Sequence, residues 1–243
     1  MGLLKKLFGQ SEKSTPTDNQ SQQALTPCKT EEELLERYGG IALDKQIDFG
    51  TVIGNNSWEV DLHKGTISFG EDLTFPMQAL GTISHSSQTW LWAWANTKSG
   101  LSESIVEQSL HLKKYGVEND IDLLTSEKFD FSSEELHLIG MIASGMFNSS
   151  GYYIADYGQG AMLVTIKDSK FEGVNNESHQ RILTVFPQLI SLFEMNHKSA
   201  FKNYLMAKGY KLTETENSIV GTKNSESVSG QFDEYSRLTN LKG

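Results

Sequence analysis

The sequence predicts an α+β protein: an antiparallel β-meander with a Trp-rich central hairpin, packed helices, and a C-terminal helix followed by short strands. Three observations predict it. First, Trp90, Trp92 and Trp94 recur at every second position of one run. A strand puts all three on one face and Leu91, Ala93 and Ala95 on the other, whereas a helix would scatter them. Tryptophan is favoured in strands, and apolar residues on both faces suit a strand covered on both sides. Second, short alternating runs follow one another with turn residues between them, which favours antiparallel pairing. Third, strand runs and helical runs are grouped rather than alternating, the pattern of α+β.

Taken in order, Leu3, Leu4, Leu7 and Phe8 form one apolar helical stripe opposite Lys5 and Lys6, so this amphipathic start suits a weak membrane or partner contact. Residues 9–29 are polar and contain two prolines. They bury too little to offset ordering entropy and read as a disordered linker. Thr30 with Glu33 is a capping-box pattern. It predicts a short helix over Glu31–Tyr38, stopped by Gly39-Gly40, with residues 41–57 irregular. Trp58, Val60 and Leu62 alternate as a strand, Lys64-Gly65 turns the chain, and residues 66–69 return. The next run, residues 75–84, pairs with residues 89–96 through the polar turn His85-Ser86-Ser87-Gln88. That register sets Ile83 opposite Trp90, Gly81 opposite Trp92 and Ala79 opposite Trp94, so large indoles face small residues.

A helix follows from Ser102 to Tyr115, closed by Gly116, then a short strand within residues 125–131. Ser132 with Glu135 starts another helix. Gly151–Tyr157 and Ala161–Lys167 flank Gly158-Gln159-Gly160, a hairpin loop with glycine where left-handed backbone is needed. Residues 168–177 read as polar loop. A helical region over residues 178–208 should be kinked or divided at Pro187 and ended by Gly209. Short strands over residues 210–215, 218–222 and 228–235 precede a loose terminus. The expected organisation is an amphipathic start and linker (1–29) and a single α+β domain (30–243) with a subdivision near residue 170 as the alternative.

With 31 acidic against 21 basic residues the formal net charge is -10. Such a surface repels phosphate backbones, so nucleic acid is not expected as a partner; a protein partner with a basic patch is. The one cysteine, Cys28, cannot form an intrachain disulfide or a thiolate cluster, and a reducing compartment follows most simply. No apolar run reaches the roughly 18–20 residues of a membrane span. The histidines are scattered without HExxH or CxxC spacing, so no metal and no cofactor is expected. There is no GxSxG, and Gly158-Gln159-Gly160 lacks the later glycine and lysine of a phosphate loop.

One cluster invites chemistry. His85 and Ser87 sit on the turn of the tryptophan hairpin, where loops on rigid scaffolds carry function. His85 is a candidate base and a neighbouring serine a candidate nucleophile, although no acid lies nearby in sequence to orient the imidazole. With Trp92 as a stacking surface and Asn96 at the strand end, His85, Ser87, Trp92 and Asn96 form a candidate ligand-binding set. Against this stand plainer roles: a solvated turn, core tryptophans, and an asparagine bonding its own backbone.

The run Gly81-Thr82 through Ser87-Gln88-Thr89-Trp90-Leu91-Trp92-Ala93-Trp94-Ala95-Asn96, the helix ending Tyr115-Gly116 and the Gly151-Tyr152-Tyr153 hairpin resemble the DUF6882 family of bacterial domains, over roughly residues 50–170. The resemblance implies a bacterial cytoplasmic protein. That family has no assigned activity, so no catalytic residue is carried over. Two readings follow. One is a non-catalytic interaction protein, for instance an immunity protein capping a basic toxin. The other is a small-ligand-binding protein or hydrolase-type enzyme with a pocket beside the Trp strand.

Overall fold

The computed structural model describes residues 26–132, 135–171 and 178–243. The fold is α+β with antiparallel sheets, and among the described residues it has six α-helices and eleven strands. The amphipathic segment 3–8 and most of the expected linker lie outside the described residues. The last part of that linker does not: Cys28 is buried, and its backbone N–H donates to the Tyr115 hydroxyl at 2.8 Å. Burial pushes the Cys28 thiol pKa up, so the thiolate is disfavoured there.

Helix α1 (Glu31–Ile53) starts at the expected cap, with Thr30 Oγ1 accepting the Glu33 N–H at 3.1 Å, while the Glu33 carboxylate accepts the Lys29 N–H at 2.7 Å instead of that of Thr30. Glu31, Glu32 and Glu33 complement the helix dipole in its first turn. The helix does not stop at Gly39-Gly40, and residues 41–53 are helical rather than irregular. The reason is packing. A Cβ on Gly40 would stand 2.5 Å from Tyr204 Cβ, so glycine is there to let another helix approach, and Leu34, Leu35, Ala42, Leu43, Phe49 and Ile53 supply the buried stripe around it. Gly40→Ala is expected to destabilise by about 1–2 kcal/mol, because overpacking at this close contact costs up to about 3 kcal/mol and the helix-propensity gain returns only about 1 kcal/mol. Urea unfolding measures this; a raised midpoint would show that the two helices can part without cost.

The larger sheet contains β1 (Trp58–Asp61), β2 (Thr66–Phe69), β3 (Leu73–Ser84), β4 (Thr89–Trp92), β5 (Lys128–Asp130), β6 (Gly151–Asp156) and β7 (Gly160–Ile166). Its hub is β3, which pairs antiparallel with β2, β4 and β7. The expected register Ser84↔Thr89, Ile83↔Trp90 and Gly81↔Trp92 forms. Ala79 opposite Trp94 does not. Strand β4 ends at Trp92 and the chain turns through a 3-10 turn, Ala93–Ala95, while Ala79 pairs with Val164 beside an irregularity in β3. Trp94 therefore leaves the face of Trp90 and Trp92, and Lys113 Nζ lies 3.7 Å from its ring centroid. Trp90 and Trp92 are fully buried and meet edge-on at 5.3 Å. A second cluster of Phe49, Phe69, Phe75 and Phe171 covers β2, β3 and β7.

Helices α2 (Glu103–Asn119), α3 (Asp122–Thr125) and α4 (Leu136–Met146) complete this half. Helix α2 passes through Gly116 and is ended instead by Asp120, in left-handed backbone at φ 59°. Before α4, the Glu135 carboxylate accepts the Ser132 N–H at 2.7 Å. The region expected to be one kinked helix is two: α5 (Gln180–Leu192), which contains Pro187, and α6 (His197–Ala207). The division falls after the proline, where Phe193 is extended and Asn196 caps α6 by accepting the Ser199 N–H at 2.9 Å. A four-stranded sheet follows in sequential order: β8 (Lys211–Glu214), β9 (Ser218–Lys223), β10 (Glu226–Phe232) and β11 (Leu238–Lys242). The terminus expected to be loose is this last strand, held by pairs such as Gly230↔Leu241. One continuous hydrophobic cluster runs from Leu34 through Trp90 to Phe232.

Candidate functional site

Pairing of β3 with β7 as far as Ser84↔Gly160 brings two hairpin tips side by side. The His85 N–H donates to the Gln159 carbonyl at 3.1 Å. His85 Nδ1 lies 3.3 Å from the Gly158 carbonyl; a carbonyl only accepts, so Nδ1 carries the proton of that contact. Nε2 lies 3.8 Å from Asp156 Oδ2. The acid missing from the sequence around His85 is thus supplied by the other hairpin. Ser84 and Ser86 hydroxyls pair with each other at 3.1 Å, and the Ser87 carbonyl accepts from Thr89 Oγ1 at 3.1 Å. Beside them Tyr157 is 53 % exposed.

Of the four sequence candidates, His85 and Ser87 remain together on this tip. Trp92 is inside the core, where its Nε1–H donates to the Leu123 carbonyl at 3.1 Å. Asn96 lies past the opposite end of β4, its N–H donating to the Trp92 and Ala93 carbonyls.

A second constellation joins α1 to α5 and α6. Asp44, 4 % exposed, accepts from Arg181 Nε at 2.6 Å, Lys208 Nζ at 2.6 Å and the Tyr204 hydroxyl at 2.8 Å. Arg181 Nη2 donates to the Asp44 carbonyl and to Asp48 Oδ1, each at 2.7 Å. Burial alone would lower the Arg181 pKa; the hydrogen bonds and charges of Asp44 and Asp48 overcome that and raise it. Burial, then the Asp44 carboxylate, raises the Tyr204 phenol pKa. Asp48 Oδ2 has no hydrogen-bond partner among the described residues. Among the described residues two carboxylates face two cations here, an internal ion network that fixes helix positions. Sequence reading missed it because its members are spread along the chain. The one local hint is Asp44 and Asp48 one turn apart on the buried side of α1.

A third feature is open to solvent. Where α5 gives way to α6, a cleft of about 670 Å³ is bounded by the first turns of α1 and by the β10–β11 turn. Leu192 and Tyr235 line it and are 57 % and 71 % exposed; Ile190, Phe193 and Met195 continue the apolar wall. Glu32, Glu36 and Glu194 stand around it against one guanidinium, Arg237, and His197. Glu36 Oε1 accepts the Asn196 N–H at 3.0 Å, and His197 Nδ1 accepts the Leu238 N–H at 3.0 Å. None of the four sequence candidates borders this cleft, since its walls come from three distant segments. Among the described residues no three His, Cys, Asp or Glu side chains gather as a metal ion would require, and no helix is long and apolar enough to cross a membrane.

Comparison with known proteins leaves the C-terminal sheet and helices α5 and α6 without a counterpart. No curated protein and no solved structure matches the chain. Residues 32–169, from the first turn of α1 to just beyond β7, match a family described as a family of unknown function. This stretch includes the Trp-rich hairpin, both hairpin tips and the helices α1 to α4, and it is more than half of the 243 residues. The chain therefore belongs to the DUF6882 family.

Proposed function

We propose that this is a non-catalytic interaction protein of the bacterial cytoplasm, immunity-like in manner, whose cleft between α5 and α6 receives a basic and apolar segment of a protein partner. The observation that carries the reading is the exposure of Leu192 and Tyr235 beside Glu32, Glu36 and Glu194. Large exposed apolar groups rimmed by polar ones are a feature of protein-binding surfaces, and an aromatic anchor suits the centre of such a site. The surrounding carboxylates would speed encounter with a cationic partner, and the formal charge of -10 adds to the same field.

The test is capture from host extract on immobilised protein at low and high salt, with Leu192→Ser/Tyr235→Ser and Glu194→Lys variants in parallel. A basic protein held by the wild type should be lost with either variant. Its on-rate should fall by an order of magnitude or more as salt shortens the reach of the charges. Equal capture by all variants would remove the cleft from the reading.

A second reading has its own observation: Asp156 beside His85. With Nδ1 protonated toward the Gly158 carbonyl, Nε2 is the basic nitrogen, and the Asp156 carboxylate would stabilise the imidazolium formed when Nε2 takes a proton, as a hydrolase-type enzyme or small-ligand site would use. Turnover of a small molecule abolished by His85→Ala, without loss of folding, would favour it over the interaction reading.

A further inference from the structure

We propose that the cavity between the first half of α1 and the last turns of α2 binds a small organic anion, a carboxylate or phosphate carried on a flat apolar body, with Arg37 as the group that reads its charge. The cavity measures about 460 Å³, within the range of about 300–1,000 Å³ usual for small-molecule sites. Tyr38, Tyr115 and Pro27 line it with ring surface, and Arg37, Asn119 and Glu118 with polar groups. It shares no lining residue with the cleft between α5 and α6, so the inference stands apart from the interaction reading.

The charge of Arg37 is not spent inside the fold. Its side chain is half-buried, and among the described residues it forms no ion pair. Arg181, the guanidinium on α5, instead holds both Asp44 and Asp48. The carboxylates that α1 carries within a turn of Arg37 are turned elsewhere: Glu33 accepts the Lys29 N–H at 2.7 Å, and Glu36 the Asn196 N–H at 3.0 Å. Arg37 Nη2 donates to the Thr26 carbonyl, which leaves most donors of the fork unspent among the described residues. A planar fork of N–H groups matches the paired oxygens of a carboxylate or phosphate. In a chain of formal charge -10 a half-buried cation without a carboxylate carries a desolvation cost that an anionic ligand would offset.

The two phenols complete the site. Burial raises the pKa of Tyr38 and of Tyr115, and the charge of Arg37 opposes the rise in both, so the guanidinium is near each hydroxyl. Both phenols keep their protons at neutral pH. Against Arg37, which can only donate, the Tyr38 oxygen is the acceptor, and its own proton remains for a ligand. Tyr115 accepts the Cys28 N–H at 2.8 Å and reaches the Cys28 carbonyl at 3.4 Å, which fixes its ring as a wall. Asn119 is 6 % exposed; its amide donates to the Tyr115 carbonyl at 2.9 Å and accepts from Lys29 Nζ at 3.4 Å, which brings a second cation to the edge. Glu118 is the one opposing charge in the lining, and Lys114 Nζ lies 3.8 Å from it. Arg37, Tyr38, Tyr115 and Asn119 all fall within residues 32–169, so the cavity belongs to the family's part of the chain.

The experiment is titration of the isotope-labelled full chain with benzoate and with phenyl phosphate, followed by NMR chemical shifts and by calorimetry. The expected result is saturable binding of at least one of them, with the largest shifts at Arg37, Tyr38, Tyr115 and Asn119; the tighter of the two assigns the head group. Acetate and inorganic phosphate, which carry the charge without the ring, should bind about tenfold more weakly, the worth of burying an aromatic ring in part. Benzylammonium, which carries the ring with the opposite charge, should not saturate. Arg37→Gln keeps a donor for the Thr26 carbonyl and should weaken binding about tenfold or more, the worth of a hydrogen bond to a charged group. Glu118→Gln should strengthen it about twofold by removing the opposing charge, a gain that a purely structural role of the wall would not produce. The amide spectrum shows whether each variant is folded; should Arg37→Gln unfold, Tyr38→Phe carries the same test, with an expected loss of about threefold. No saturation by either aromatic anion up to about 10 mM, the weak limit of a specific site, overturns the proposal. So do shifts centred on other residues, equal affinity in Arg37→Gln, and benzylammonium binding as tight as benzoate.

Discussion

Replacing Asp44 by alanine is expected to destabilise the protein by about 3–5 kcal/mol, the range for removing one member of a buried ion network. Asp44 is the acceptor shared by Arg181, Lys208 and Tyr204. Its loss leaves buried cationic groups without their common carboxylate, and desolvation of those groups is no longer offset. The effect is large against a typical folding stability of about 5–15 kcal/mol. It should also be local in origin, because the three donors come from α5, α6 and the residue just after α6, while Asp44 is on α1. Hydrogen exchange in Asp44→Ala is therefore expected to rise first in α5, α6 and the sheet β8–β11, with β3 and β7 remaining slow. Asp44→Asn, which keeps an acceptor oxygen of the same shape but loses the charge, should cost less than alanine. A loss below about 1 kcal/mol in Asp44→Ala would show that the network contributes position and not stability.

Trp92→Ala should cost about 3–5 kcal/mol, the range for truncating a buried large aromatic. The side chain is 0 % exposed, packs edge-on against Trp90 and donates to the Leu123 carbonyl. Alanine therefore leaves a cavity and deprives a carbonyl of its donor, and the two losses add. Trp92→Phe separates them: it keeps much of the apolar volume and should lose about 1–2 kcal/mol, from the missing donor and the smaller ring. Denaturant unfolding followed by the remaining tryptophans reads both. Full stability in Trp92→Ala would contradict its place in the core and return it to the candidate ligand-stacking surface.

Features written in local chemistry can be read from the chain alone. The α+β class, the register of Gly81 with Trp92, the caps at Thr30 and Ser132 and the glycine-containing loop between β6 and β7 follow from period-two alternation and turn or cap residues. These need only neighbours a few positions away. The tertiary structure decided the cases in which a distant partner overrides a local signal. Gly39-Gly40 reads as a helix stop until Tyr204 of α6 is seen to occupy the space a side chain would take. Trp94 continues the alternation of Trp90 and Trp92, yet the chain leaves the sheet after Trp92 in a 3-10 turn, level with the irregularity of β3 between Ala79 and Gly81. The terminal residues carry few apolar groups, but β10 offers them a strand edge whose backbone bonds do not depend on side chains. The candidate site divides in the same way. His85 and Ser87 were legible as a polar turn on a rigid hairpin. Asp156, the Asp44 network and the cleft of Leu192 and Tyr235 were not, because each is assembled from segments far apart in the chain, and only packing of the helices and pairing of the strands brings those side chains within a few ångströms of one another.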